Sequence, residues 1–302
     1  MPPLSSFRLL GDAARTWLDR DAFQHASALA FYTLLSLAPL MVILVAIIGM
    51  VYGEEAASGE IFARIRHLLG NQAAAAVEEA VSRSHPAAAG GLLPTLLGVG
   101  ALLFGATTVF AQMQSSLNQF WDVRARPSRS GILAFIAVRL LSLGMVIILG
   151  FLLLISFAVS VAIAGVIEYA GHWVAVPPLV VSAVDLALSL LVTTAVFGML
   201  FRVLPDVRLQ WSDVWRGALF TAILFVLGQY LITLYLTRVA PTSTYGAAGS
   251  LVLVLFWVYY SALILYFGTA MTKVAILRRD GVVVPKATAV RKRGPAPAAR
   301  GA

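Results

Sequence analysis

Side chains able to move a proton, attack a bond or bind a metal are sparse in this chain of 302 residues. Its four histidines, His25, His67, His85 and His172, lie on four different segments. None shows the HExxH spacing that sets two imidazoles on one helix face for zinc. There is no cysteine, which excludes disulfides, thiolate nucleophiles and cysteine-held metals. The adjacent acids Glu54-Glu55 and Glu78-Glu79 read as solvated faces of short helices. No GxSxG, Walker or clustered-aspartate motif occurs. Nucleophilic, paired-carboxylate and metal catalysis therefore leave no linear signature. The expectation is a protein that is not an enzyme and carries neither cofactor nor metal.

What remains is a set of isolated polar groups in apolar surroundings. Tyr32 and Ser36 share a helical face with His25 and Pro39. A sevenfold stripe, Ala101, Gly105, Thr108, Gln112, Ser115 and Gln119, runs down another segment. Asp185 and Arg139 sit inside long uncharged runs, Gln229 lies one turn before Thr233, and Tyr245 ends a polar turn. An ionisable group at membrane depth is a functional candidate by default. Tyr32, Ser36, Thr108, Gln112, Arg139, Asp185, Gln229 and Tyr245 are thus candidates for the wall of a cavity or substrate path. The competing reading is a packed seam that neighbouring helices satisfy, with Arg139 snorkelling at an interface. Asp185 would then pair with Arg238 or meet water.

The elements that position these residues are apolar helices. Sixty per cent of the residues are hydrophobic and 12% charged, where a soluble domain carries about 25% charged residues. Mean hydropathy is +0.89. Residues 251–271 contain no charge; as a helix they would cover roughly 31 Å, the depth of a bilayer core. The same pattern recurs, and the fold expected is all-α and polytopic. Spans are expected at about 28–52, 92–120, 131–167, 177–201, 217–239 and 247–273. The third is too long for one upright span and too short for two, so it reads as a single tilted helix. Residues 1–27 hold an amphipathic helix, with Phe7, Leu10, Trp17 and Leu18 opposite Arg8, Asp12, Arg15 and Asp19. It would lie in the headgroup plane or pack on the protein's own loops. Residues 53–91 form a net acidic outer loop with short helical patterns. Residues 278–302, basic and rich in Pro and Ala, read as a disordered tail. The first apolar run is too long for a signal-peptide core.

Charge fixes the expected orientation. With both termini cytoplasmic, seventeen of the 22 Lys and Arg fall in cytoplasmic segments and four in outer loops. The net charge of +8 then reflects anionic lipid headgroups rather than nucleic acid. Small-residue seams leave homo-oligomers open.

Four patches carry a family resemblance: HASALAFYTLLSLAPL at 25–40, LNQFW at 117–121, LPDVRLQWSDVWRGAL at 204–219 and YGAAGSLVLVLFWVYYSALILYFGTAM at 245–271. In these the chain resembles the YihY/virulence factor BrkB family of bacterial inner-membrane proteins. The resemblance implies six spans with cytoplasmic ends. It also brings an old ribonuclease label, regarded as mistaken, and links to serum resistance and export of lipopolysaccharide precursors. One departure stands out: where the family's last span ends in a Gly-Ala-Glu-Leu type motif, this chain has Gly268-Thr269-Ala270-Met271. The function expected is a transporter or flippase-like carrier for a lipid or envelope precursor. The alternative is a non-transporting scaffold of the envelope. Because the chain has no cysteine, single introduced cysteines report topology. In intact cells an impermeant maleimide should label Ala75→Cys and spare Ala298→Cys; the reverse pattern would invert the orientation.

Overall fold

The computed structural model describes residues 3–52, 92–126, 131–171, 177–239 and 246–291, with scattered positions between 58 and 79. Helices α1 (Pro3–Asp19), α2 (Ala22–Tyr52) and α3 (Leu92–Phe120) come first. Strand β1 (Val123–Ala125) follows, then α4 (Gly131–Gly171), α5 (Pro178–Val203), α6 (Trp211–Val239), α7 (Gly246–Asp280) and strand β2 (Ala289–Arg291). Four of these helices are long and apolar enough to cross a membrane, over Ile136–Ile167, Leu179–Val203, Trp211–Leu231 and Val254–Asp280. Helices α2 and α3 have 31 and 29 residues, enough in length alone for a core of about 30 Å. The third expected span is one continuous helix of 41 residues. The outer loop lies mostly outside the described residues, with His67, His85, Glu54 and Glu55; so do His172, Tyr245 and the side chain of Arg238.

Several boundaries move outward, because helices continue where charge begins. Helix α2 starts at Ala22, directly after a turn at Asp21, whose φ of 51° is tolerated by a short polar side chain. Helix α6 starts at Trp211, with Asp213 near its positive N-terminal dipole. Helix α7 runs to Asp280, with Arg278 and Arg279 in its last turn.

Residues 278–291 are not a disordered tail. The chain turns at Gly281 (φ 71°) and comes back. Arg208 N donates to Val284 O at 2.9 Å and Lys286 N to Asp206 O at 2.9 Å. Strand β2 then pairs antiparallel with β1, Val123 opposite Arg291 and Ala125 opposite Ala289. The return is driven by burial: Val283 and Ala289 close a small core with Trp121, Val123, Val207 and Ile276. Composition hid those few apolar residues among basic ones. Residues 292–302 lie outside the description.

Helix α1 packs on α7. Trp17 Nε1 donates to Leu263 O at 3.1 Å, and its ring meets Phe267 edge-on at 6.1 Å. The main core joins α2, α3, α5, α6 and α7 with Met145 and Val146 of α4, centred on stacked Phe120 and Tyr266 at 5.0 Å. Helix α2 continues through Pro39, and Pro39 fills the notch at Gly105 of α3, where an added Cβ would lie 2.8 Å from Pro39 Cγ.

The α6–α7 seam is closer still. A Cβ at Gly217 would fall 1.9 Å from Thr272 Oγ1, and one at Gly268 1.8 Å from Thr221 Oγ1. Each threonine bonds back to the glycine one turn earlier in its own helix, Thr221 to Gly217 O at 2.6 Å and Thr272 to Gly268 O at 2.8 Å. Gly-x-x-x-Thr on α6 thus meets Gly-x-x-x-Thr on α7 head to tail, which lets two backbones approach in an apolar medium. Gly217→Ala should cost about 1–3 kcal/mol from overpacking. Gly217→Ala with Thr272→Ala should cost less than the sum of the two single changes. Thermal unfolding in detergent reads both, and strict additivity would show that the two residues do not touch.

Candidate functional site

Polar groups on an apolar helix need partners, and α3 carries most of them. Its polar residues go in turn to different neighbours as the helix runs toward β1.

Furthest from β1, Arg139 of α4 reaches across to α3. Its Nη1 donates to Thr107 Oγ1 and Thr108 Oγ1, both at 3.1 Å, and to Phe104 O at 3.3 Å. Its guanidinium also lies 4.0 Å from the Phe104 ring centroid. Two sequence candidates, Thr108 and Arg139, thus meet as a cross-link between helices.

One turn on, Gln112 Nε2 donates to Ser116 Oγ at 3.4 Å, and Ser116 Oγ lies 3.1 Å from His25 Nδ1 of α2. The hydroxyl of Tyr266 from α7 is close to Ser116 without good hydrogen-bond geometry. A hydroxyl this near an imidazole has the spacing of a nucleophile and its base. Here Ser116 is fully buried, 0% exposed, so no substrate reaches it as packed. Tyr266 is equally buried and stacks on Phe120.

Near the end of α3, Asn118 clamps the loop between α5 and α6. Its Nδ2 donates to Asp206 Oδ2 and its Oδ1 accepts from Asp206 N, both at 2.8 Å. Gln114 Nε2 adds a long contact to Asp206 Oδ1 at 3.5 Å. Lys286 Nζ donates to Val203 O at 3.1 Å, at the end of α5. Burial pushes the Lys286 ammonium below its ordinary pKa, against the opposing pull of Asp206.

Past α3, Asp122 stands in a left-handed conformation, φ 56°. Lys273 of α7, 6% exposed, donates to Asp122 Oδ2 at 2.6 Å and to Phe120 O at 2.7 Å. Arg20, from the turn between α1 and α2, forms the second ion pair to Asp122. One carboxylate thereby holds three parts of the chain. Further out, Arg279 pairs with Asp213 at 2.7 Å and Arg278 with Asp12 at 2.5 Å.

The remaining sequence candidates do not join this ladder. Ser36 is 1% exposed, and its hydroxyl has no partner among the described residues. Tyr32 is half-buried beside Phe31. Gln229 is half-buried next to Gly228, which packs on Tyr260. Asp185 is exposed between Val184 and Leu186 on α5, with no partner among the described residues. Among the described residues no three His, Asp or Glu gather closely enough for a metal ion. Sequence reasoning missed Asp122, Asn118 with Asp206, and Lys273. Their signal was present: a lysine that closes an apolar run, an acid directly after LNQFW, and one within LPDV.

Long apolar helices tied together at one end by a polar and ionic layer define a helical membrane protein. The model of the virulence factor BrkB family matches residues 13–293, and the chain belongs to that family. A UPF0761 membrane protein of Verminephrobacter eiseniae is 28% identical over 87% of this chain and 64% of its own length. The chain therefore spans under two thirds of that relative. A UPF0761 membrane protein of Pseudoalteromonas translucida is 26% identical over 84% of this chain and 81% of its own. The ribonuclease-like protein YfkH of Bacillus subtilis is 26% identical over 80% and 86%. No solved structure matches.

Removing Lys273 would leave the Phe120 carbonyl without its donor and Asp122 with Arg20 alone. Lys273→Ala should cost about 3 kcal/mol, read as a lower melting temperature, with Lys273→Arg recovering part of the loss. A melting temperature equal to wild type in Lys273→Ala would mean that the buried ammonium does not hold the fold.

Proposed function

We propose that this chain is a carrier of an amphiphile, a lipid or envelope precursor, in the bacterial inner membrane. In this reading α2 and α3 complete six spans, both chain ends are cytoplasmic, and no reaction is catalysed. The observation that carries it is how little of α4 and α5 is buried within the chain, beside α6 and α7. At the end holding Asp122, Asn118 and Lys273 the helices are ionically tied. At the other end α4 exposes Phe151, Ile155, Val161 and Val166, and α5 exposes Leu179, Val180, Leu186 and Leu191. Asp185 sits on that second surface. Loose apolar faces around one carboxylate offer acyl chains and a polar head a place together, whereas a tied end suits a fixed base. The partners on this reading are membrane lipids and, at the loose faces, another copy of the chain, with no nucleic acid.

A scaffold without cargo is the second reading. It is favoured by Arg139, whose hydrogen bonds go to Thr107, Thr108 and Phe104 rather than to an open space. Lipids co-purifying with the native protein separate the two. A carrier should enrich one amphiphile over the bulk membrane, and Asp185→Ala should deplete it. Wild type, Asp185→Ala and Gln112→Ala all returning the bulk lipid composition would leave the scaffold.

A further inference from the structure

The start of α6 forms a second surface that neither the polar ladder nor the loose end uses. Trp211, Ser212, Trp215 and Arg216 line an open depression of about 620 Å³. Both indoles are exposed, 48% and 45%. The Arg202 guanidinium, from the end of α5, stacks 4.3 Å from the Trp211 ring. Its Nη1 is buried and has no acceptor among the described residues. The nearby acid, Asp213, is turned away: its side chain is 7% exposed and paired with Arg279. Asp206 is likewise engaged, by Asn118. The depression is therefore left with uncompensated positive charge from Arg202 and Arg216. Directly along the helix, Leu219, Ile223 and Leu227 are exposed at four-residue spacing, 37%, 48% and 53%. That spacing makes one apolar stripe beginning under Trp215.

A cationic, tryptophan-lined hollow with an apolar stripe leading into the membrane has the shape of a lipid: charged head, amphipathic boundary, hydrocarbon tail. We infer that this surface binds one anionic glycerophospholipid from the leaflet on the β1–β2 side of the molecule. Its phosphate sits on Arg216 and the Ser212 hydroxyl, its glycerol region between Trp211 and Trp215, and one acyl chain along Leu219, Ile223 and Leu227. The stripe is what distinguishes a lipid from free phosphate, which has nothing to place there. This site is separate from the proposed cargo surface around Asp185 and does not rest on the carrier reading.

Native mass spectrometry of the full chain in detergent tests it, with phosphatidylglycerol, phosphatidylcholine and inorganic phosphate added in separate arms. One phosphatidylglycerol should remain bound at activation energies that strip phosphatidylcholine. Arg216→Gln should weaken it about tenfold, the effect expected for losing a charge-assisted hydrogen bond. Trp215→Ala should weaken it with no change in melting temperature. Arg124→Gln, an exposed arginine elsewhere on the same side, should leave it unchanged. Equal retention in Arg216→Gln and wild type would overturn the assignment. So would equal losses in Arg216→Gln and Arg124→Gln, equal retention of phosphatidylcholine, or displacement of the lipid by inorganic phosphate.

Discussion

A polar side chain on an apolar helix must find a partner inside the protein, because lipid offers none. Helix α3 meets that requirement by handing successive polar residues along its length to successive neighbours. Thr107 and Thr108 take Arg139 of α4, Ser116 takes His25 of α2, and Asn118 takes the loop after α5. Just past its end, Asp122 takes α7 and the α1–α2 turn at once. From Thr107 to Asn118 is eleven residues, about 16 Å of helix, so these contacts form a column rather than a cavity. Arg139 shows the consequence for function: it donates to Thr107, Thr108 and Phe104 O and so holds α4 and α3 in register.

The α6–α7 pair solves a different problem. Between helices in lipid there is little hydrophobic gain, so contact must come from close approach. Glycine supplies the space and threonine fills it, each hydroxyl turned back on its own helix. The two motifs lie head to tail, as antiparallel neighbours require, and Gly228 against Tyr260 extends the seam. Lys273 follows Thr272 directly, so the tightest stretch of this seam leads straight into the ion pair with Asp122. Close packing and charge pairing thus coincide at the end of the molecule that carries β1 and β2. Ala270 lies in the same region, fully buried in the main core. An acid there would need a partner of its own, and an alanine needs none.

Much of the helical framework was legible, because long uncharged runs have few alternatives to helix. The single long α4 followed from its length, while of the sevenfold stripe on α3 only Gly105 and Thr108 meet neighbouring helices, and Ala101 and Ser115 are exposed. The pairing of Thr108 with Arg139 did not follow, since spacing gives a face but not which helix it meets. Residues 281–291 were misread for a physical reason. Their apolar content is small, yet Val283 and Ala289 gain burial only because Trp121 and Val207 wait for them, and composition cannot see a distant partner. Asp122 was hidden likewise: its role depends on a left-handed turn and on Lys273, 151 residues away. For Asp185 the sequence posed the question of a partner, and the answer on the described surface is exposure.

A membrane protein of the BrkB family emerges that is ionically tied at one end, with α4 and α5 sparsely buried toward the other. Hydrogen exchange of the full chain in lipid nanodiscs reads that difference directly. Slow exchange is expected over 107–121, 262–276 and the returning segment 281–291, with faster exchange over 151–166 of α4 and 179–191 of α5. If 281–291 exchanges at the rate of an unstructured chain, or if both ends of the bundle are protected alike, the polar column along α3 does not organise this fold.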